Sequence, residues 1–152
     1  MNCPKHRSGH AITLAAALLA CAAILHAQAA EPARPMALQS VMENLGCDRQ
    51  AVTGAISRED WALVVRLAPD IARHPGPPLS EKARILAWLG TSAGKFRGFD
   101  GQVQEAAMAM GEAATRGDGQ AVISHFASVQ RSCLACHQGL RKSFQEQFHE
   151  KR

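Results

Sequence analysis

The stretch that decides the fold is VISHFASVQRSCLACHQGLRKSF, residues 122–144. Its apolar side chains recur every three or four residues, which is the spacing of one face of an α-helix. These side chains are Val122, Phe126, Val129, Cys133, Cys136, Leu140 and Phe144. The pattern predicts one long amphipathic helix whose buried face carries both members of a closely spaced cysteine pair.

The residues before this stretch predict further amphipathic helices. They are 36–56, 61–71 with a bend at Pro69, a short one restarting at Ser80 and ending at Leu89, and 102–116. Ser57 is expected to end the first helix and cap the second. The proline-rich loop 74–78 cannot be helical, and the glycine-containing stretch 90–101 is expected to be a looser connection. Four substantial helices joined by short loops predict an all-α, antiparallel four-helix bundle.

The composition agrees with a single helical domain. The chain has 152 residues, of which 47% are hydrophobic and none is tyrosine, and good helix formers dominate. Outside the first thirty residues the acidic and basic side chains nearly balance. This balance provides no basic face of the kind that nucleic-acid binding requires, so we predict no nucleic-acid partner.

Residues 1–29 have the pattern of a secretory signal peptide. Lys5 and Arg7 precede an apolar run at residues 11–25, and the small residues AQA follow at 27–29. The run is short for a membrane span; an uncleaved anchor and lipidation at Cys21 are the alternatives. We predict cleavage after Ala29, export to the bacterial periplasm, a mature domain at 30–152, and no stable membrane span after cleavage.

Cleavage would leave Cys47, Cys133 and Cys136 in an oxidising compartment, and an odd number argues against a simple disulfide framework. Residues 133–137 read CLACH, the attachment sequence for c-type haem. Thiols at i and i+3 lie on one side of a helix and would add to the two haem vinyl groups. His137 would then bind the iron. The sequence therefore predicts one covalent haem c.

Other roles of paired cysteines fit the sequence less well. A thioredoxin-like dithiol normally follows a strand in a βαβ pattern, whereas this pair lies in the last predicted helix. A structural zinc site would need a fourth ligand and often a second cysteine pair, and none is suitably spaced. Cys47 is then either a small buried side chain of the first helix or the partner in an intermolecular disulfide.

The last third of the chain resembles class II c-type cytochromes, the cytochrome c′ family, whose haem motif lies near the C-terminus. The resemblance runs from about Gln102 to Phe144 and includes AATRGD at residues 113–118 and VQRSCLACH at residues 129–137. The first helix is also similar around LQSVM, residues 38–42. The resemblance implies a left-handed four-helix bundle with the haem inside, which agrees with the bundle predicted from the periodicity.

The resemblance also implies roles for residues around the haem. Arg141, four residues after His137, corresponds to a basic residue on the proximal side. Met42 occupies the first-helix position that faces the distal side of the iron. An apolar residue there leaves the iron five-coordinate in gas-binding members, and a methionine ligates it in low-spin members similar to cytochrome c556. Leu140 and Leu38 depart from the family, which usually has an aromatic residue and a propionate-binding arginine at these positions.

Other residues are alternative candidates to Met42 for the second axial ligand of the iron. Met108 and Met110 are expected to be core residues, His74 a loop residue, and His125 a surface or boundary residue. Arg49 interrupts the apolar stripe of the first helix. It either reaches a haem propionate or extends to solvent, as arginines at the edge of a stripe usually do.

Two functions follow as alternatives. With His137 and Met42 as axial ligands the iron is coordinatively full, and the protein would exchange electrons with periplasmic redox proteins. With Met42 only packed over the iron, an open site would bind a diatomic gas such as nitric oxide or carbon monoxide. We predict no enzyme, since the chain has no nucleotide loop, second haem motif or distal acid–base pair. The electron donor and acceptor, the potential and the oligomeric state, including a homodimer through the first two helices, stay open.

Overall fold

The computed structural model describes residues 36–149, in which all regular secondary structure is helical. The helices are α1 (Ala37–Ser57), α2 (Trp61–Ala72), α3 (Leu79–Leu89), α4 (Ala93–Thr115), α5 (Gly119–Cys136) and α6 (Lys142–Phe148), with a 3₁₀ turn at Gly90–Ser92 and a π-helical turn at His137–Arg141. The predicted all-α class is therefore confirmed. The predicted signal peptide, residues 1–29, lies outside the described residues. Within residues 36–149, no helix has both the length and the apolar character that crossing a membrane requires.

Two turns of the same kind connect α1 to α2 and α4 to α5. In each turn an aspartate side chain accepts a hydrogen bond from a backbone N–H of the following helix. Asp60 accepts from Leu63 and Asp118 accepts from Ala121, both at 3.0 Å. Gly117, before the second aspartate, has a φ of 68°, a conformation that glycine adopts without strain. These capped turns end one helix and begin the next within three residues.

Two of the predicted boundaries are wrong. Ser57 does not cap α2 but is the last residue of α1, because Asp60 supplies the cap. The stretch 90–101 is not a loose connection, since after the 3₁₀ turn it forms the first part of α4. A glycine inside a helix costs about 0.5–1 kcal/mol relative to alanine. Here Phe96 and Val103 pack into apolar clusters, and that burial offsets the cost.

The buried apolar side chains form two separate clusters. The first cluster contains Val52, Ala55, Val64, Ala68, Ile71, Ala72, Val103, Ala107, Met110, Ala113, Ala114, Val122 and Val129, with Leu45, Phe126 and Cys133 among its half-buried neighbours. The second cluster contains Met36, Ile85 and Leu89, with Leu38, Trp88, Phe96, Leu140, Phe144 and Phe148 around them. One domain usually has one contiguous core. The division between the clusters therefore marks a particular position along the helices, which we call the level of the division.

The helices differ in how closely they approach one another. α4 packs closely along both α2 and α5, and α1 packs along α2, whereas α1 approaches α5 at few positions. At the start of α3, the Glu81 carboxylate accepts hydrogen bonds from the backbone N–H groups of Ala37, at 2.9 Å, and Leu38, at 2.8 Å. This carboxylate therefore caps α1 from a distant part of the chain, beside the second cluster.

A close approach of α2 and α4 depends on Gly111. A Cβ atom there would lie 2.9 Å from the Cβ of Ala68, which is itself buried. Because neither atom can rotate away, we expect Gly111→Ala to force the helices apart and lower the free energy of unfolding by about 1–3 kcal/mol. Gly98→Ala, in the same helix but with open space around its Cβ position, should instead raise it by roughly 0.5–1 kcal/mol. Urea unfolding measures both, and equal stabilisation by the two substitutions would contradict this packing argument.

Candidate functional site

The residues of the CLACH motif lie at the junction of α5 and the π-helical turn. Cys133 and Cys136 are in the last turn of α5, where both are half-buried and neither is in a disulfide. His137 begins the π-helical turn and is exposed. The two thiols and the imidazole are thus carried by one short helical segment, which can present them together to a single group.

The last helix is interrupted, contrary to the continuous helix predicted for residues 122–144. α5 stops before His137, and the π-helical turn then runs to Arg141. A π-helical turn holds more residues than an α-helical one, so it rotates the side chains that follow about the helix axis. Leu140 and Phe144, which follow His137, pack in the second cluster. Such turns inside α-helices frequently occur at functional sites.

The motif lies where the two apolar clusters are divided. Along the last helices, Cys133 borders the first cluster and Leu140 the second. Along α1, Leu45 borders the first cluster and Leu38 the second. Met42 falls between them, belongs to neither cluster, and is 38% exposed. The motif and Met42 therefore lie at the same level on α5 and α1, two helices that approach each other at few positions.

Arg49 of α1 reaches the cysteine pair. Its Nη1 donates a hydrogen bond to Oε1 of Gln130 at 3.0 Å, and its Nε donates to the carbonyl oxygen of Leu45 at 3.3 Å. Burial raises the pKa of the Cys133 thiol, and the positive charge of Arg49 opposes that rise. Arg49 is therefore half-buried against α5 instead of extending to solvent.

The other two residues of the motif also have shifted pKa values. Burial raises the pKa of the Cys136 thiol, and the neighbouring thiol and Asp100 raise it further. Although His137 is exposed by surface area, partial desolvation of its ring lowers its pKa, and the positive charges of Arg141 and Arg49 lower it further. Both effects favour the neutral imidazole, which is the form that binds metals.

His74 and Asp100 form an ion pair beside the site. Nε2 of His74, in the loop after α2, lies 3.3 Å from Oδ1 of Asp100 on α4, and its Nδ1 lies 3.0 Å from the carbonyl oxygen of Ile71. The hydrogen bond between the two side chains raises the pKa of His74 and lowers the pKa of Asp100. Because Asp100 also acts on Cys136, the pair links the loop between α2 and α3 to the motif.

This ion pair should make the stability of the protein depend on pH. The folded-state pKa of His74 is raised above 6.5, so its contribution is complete below that pH and is lost as the pH rises through the folded value. The folded-state pKa of Asp100 is lowered below 3.8, so its contribution is complete above that pH and is lost as the pH falls through the folded value. We therefore expect His74→Gln to lower the free energy of unfolding most between pH 3.8 and 6.5, and progressively less at higher pH.

Urea unfolding of the native protein and of His74→Gln across a pH series measures this effect. Asp100→Asn, which removes the same pair from the other side, should give a matching profile. A destabilisation of constant size at every pH would show that the substitution acts through packing alone.

The other candidate residues lie in different surroundings. Met110 is fully buried in the first cluster, as predicted. Met108 was predicted to be in the core but is 40% exposed, because a residue two positions away lies on nearly the opposite side of a helix. His125 is half-buried in a groove between α4 and α5, Cys47 is half-buried on α1, and Arg141 is exposed at the end of the π-helical turn.

Among residues 36–149, no three His, Cys, Asp or Glu side chains are grouped so that they could hold a metal ion. A haem needs fewer ligands from the protein, because the porphyrin supplies most of those that surround the iron. Comparisons of the chain with known protein families, with curated proteins and with solved structures found no match.

Proposed function

We propose that this protein is an exported, class II c-type cytochrome that binds one haem c and transfers electrons, with no catalytic role of its own. The observation that carries the proposal is the position of CLACH at the level where the apolar core divides. A flat apolar group inserted at that level would join the two clusters into one core. The motif, the division between the clusters and the sparse approach of α1 to α5 are all compatible with such a group.

Cys133 and Cys136 would hold the ring through two thioether bonds. In each, the thiol sulfur bonds to one carbon of a vinyl group and the thiol hydrogen passes to the other carbon. Their half-buried positions one turn apart on α5 are suited to that attachment. The neutral imidazole of His137 would bind the iron from the same segment.

Met42 would supply the second axial ligand from α1. A thioether sulfur is a soft ligand that stabilises ferrous haem and raises the reduction potential. Along α1, residues before Met42 contact the second cluster and residues after it contact the first. Along α5 and α6 the order is reversed, since the chain contacts the first cluster before the motif and the second cluster after it. This reversed order supports an antiparallel bundle of α1, α2, α4 and α5 with Met42 facing the motif. When bound, the haem would supply one-electron exchange at its iron.

Arg49 and Arg141 would contribute positive charge near the proposed haem. Arg141 follows His137 by one turn and Arg49 faces Cys133, and both lower the pKa of His137. Positive charge near a haem favours the reduced iron, which carries one charge fewer. The two arginines would therefore add to the effect of the methionine ligand on the potential.

Substitution of Met42 tests whether the protein carries electrons. With Met42 bound, the reduced protein should be low-spin, with sharp split visible bands, and should bind carbon monoxide slowly. Met42→Ala removes the ligand, so we expect a high-spin spectrum and rapid carbon monoxide binding. Absorption spectra and carbon monoxide mixing experiments measure both effects.

Met108→Ala is the matched control, because Met108 is similarly exposed but lies on α4. Its spectrum should equal that of the native protein. A native protein that is already high-spin, and that Met42→Ala leaves unaltered, would assign the protein to the gas-binding type instead.

A further inference from the structure

Charge is distributed unevenly between the two ends of the molecule. Segments 79–100 and 137–149, which supply most of the second cluster, carry six basic side chains and three acidic ones. Segments 45–73 and 103–129, which supply the first cluster, carry five basic and seven acidic side chains. We call the surface of the first pair of segments the basic end. The near balance of charge in the sequence therefore conceals a separation of charge along the molecule.

The basic side chains of this end are all exposed. They are Lys82, Arg84, Lys95, Arg97, Arg141 and Lys142. Of these, only Lys142 forms an ion pair with another residue of 36–149, a contact of 3.8 Å with Glu146. The other two acids are engaged elsewhere, because Glu81 caps α1 and Asp100 pairs with His74. Apart from Lys82, whose charge also acts on Asp100, the positive charge of the basic end is thus largely uncompensated.

Two of these charges, those of Lys95 and Arg141, lie close to the CLACH motif. The Nζ of Lys95 lies 4.0 Å from the Cβ position of Gly139, two residues after His137. Arg141 is close enough to His137 to lower its pKa. Within the motif itself, Leu134 is 56% exposed. An apolar centre with a polar rim is common in protein–protein interfaces, and Leu134 supplies such a centre here.

We propose that the basic end is the docking surface for an acidic redox protein. The inference rests on the proposed function, since electron transfer requires the partner to approach the haem motif. Uncompensated charge of one sign accelerates the encounter with a partner of opposite charge and makes it sensitive to salt. The six basic residues come from α3, α4, the π-helical turn and α6. A membrane-binding helix would instead carry such residues along one face, so we assign the surface to a protein.

Two charge-reversed variants of the haem-loaded protein test the proposal. Lys95→Glu with Arg97→Glu alters the basic end, and Arg66→Glu with Arg116→Glu makes the same change of net charge near the first cluster. All four side chains are exposed. Hexacyanoferrate(III), an anion, takes one electron from each reduced haem, and a cationic cobalt(III) complex does the same. We expect the first variant to slow oxidation by the anion at least fivefold and to accelerate oxidation by the cation, with both effects lost at high salt.

The second variant should change either rate less than twofold, and equal effects of the two variants would overturn the proposal. Poly-L-glutamate, as an acidic polypeptide, should bind the native protein at least fivefold more tightly than the Lys95→Glu, Arg97→Glu variant. Tighter binding to phosphatidylglycerol vesicles than to poly-L-glutamate would show that the basic end binds a membrane surface and would overturn its assignment to a protein partner. Absence of covalent haem would refute the proposed function. The poly-L-glutamate measurement does not depend on haem, so it would still test whether the basic end binds an acidic polypeptide.

Discussion

Replacing both Cys133 and Cys136 with alanine is expected to abolish covalent attachment of haem. The native protein should keep its haem after denaturation and acid–acetone extraction, and its mass should exceed that of the polypeptide by one haem. The double variant should lose all of it, because non-covalent haem is extracted when the fold is lost. Each single variant keeps one thioether and should retain haem in weakened or reduced amount. Mass spectrometry and pyridine haemochrome spectra measure the retention.

Cys47→Ala is the control for this experiment, because Cys47 lies on α1, outside the motif. It should retain as much haem as the native protein. Complete extraction of haem from the native chain would refute covalent attachment. Equal losses from the Cys47 variant and the double variant would show that the effect does not arise from the motif.

Removal of the haem is expected to cost a large part of the stability of the fold. In the proposed haem-loaded protein the haem would fill the space between the two clusters, and without it side chains such as Cys133, Leu140 and Leu45 would lose their contacts with the ring. A cavity costs roughly 24 cal/mol per Å³, so a haem-sized void should lower the free energy of unfolding by about 5 kcal/mol or more. We expect the haem-free chain to keep much of its helix, to lose fixed tertiary contacts, and to bind hydrophobic dyes.

Near-ultraviolet and far-ultraviolet circular dichroism distinguish these states, and calorimetry gives the melting temperatures. The native sequence produced without haem and the double cysteine variant are two independent haem-free forms, and both should behave alike. A haem-free protein with a sharp, cooperative melt at the temperature of the haem-loaded form would contradict the proposed burial of haem within the core.

Much of the helical architecture is predictable because it depends on local patterns. The spacing of apolar residues marks α1, α2, α3 and α5, and the sequence Gly117-Asp118 marks the turn before α5. The start of α4 is not predicted because its glycines favour a loop, while the packing that makes it helical involves residues far away in sequence, such as Met36. The π-helical turn was missed for a related reason. Periodicity in 122–144 fits a continuous helix, whereas the contacts of Phe144 and Phe148 with Trp88 join segments far apart in the sequence.

The candidate site likewise has a part that local sequence predicts and a part that depends on contacts between residues far apart in the sequence. Cys133, Cys136 and His137 are within five residues, so their grouping follows from the helix alone. The contact of Arg49 with Gln130 joins residues 81 positions apart. The pairing of His74 with Asp100 likewise joins a loop to a helix, and no local pattern indicates either contact. Sequence patterns therefore locate the chemical groups, whereas tertiary packing determines the charges that act on them.

The division of the core also determines which part of the folded chain should unfold locally first. The second cluster has three buried members, Met36, Ile85 and Leu89, against thirteen in the first. Regions with fewer buried contacts unfold locally at lower free energy. The segment from Cys136 onward should therefore fray while α2, α4 and most of α5 stay folded. Such fraying would expose the Cys136 thiol and the segment after it to the factors that attach a cofactor, and attachment would then hold that segment in its folded position.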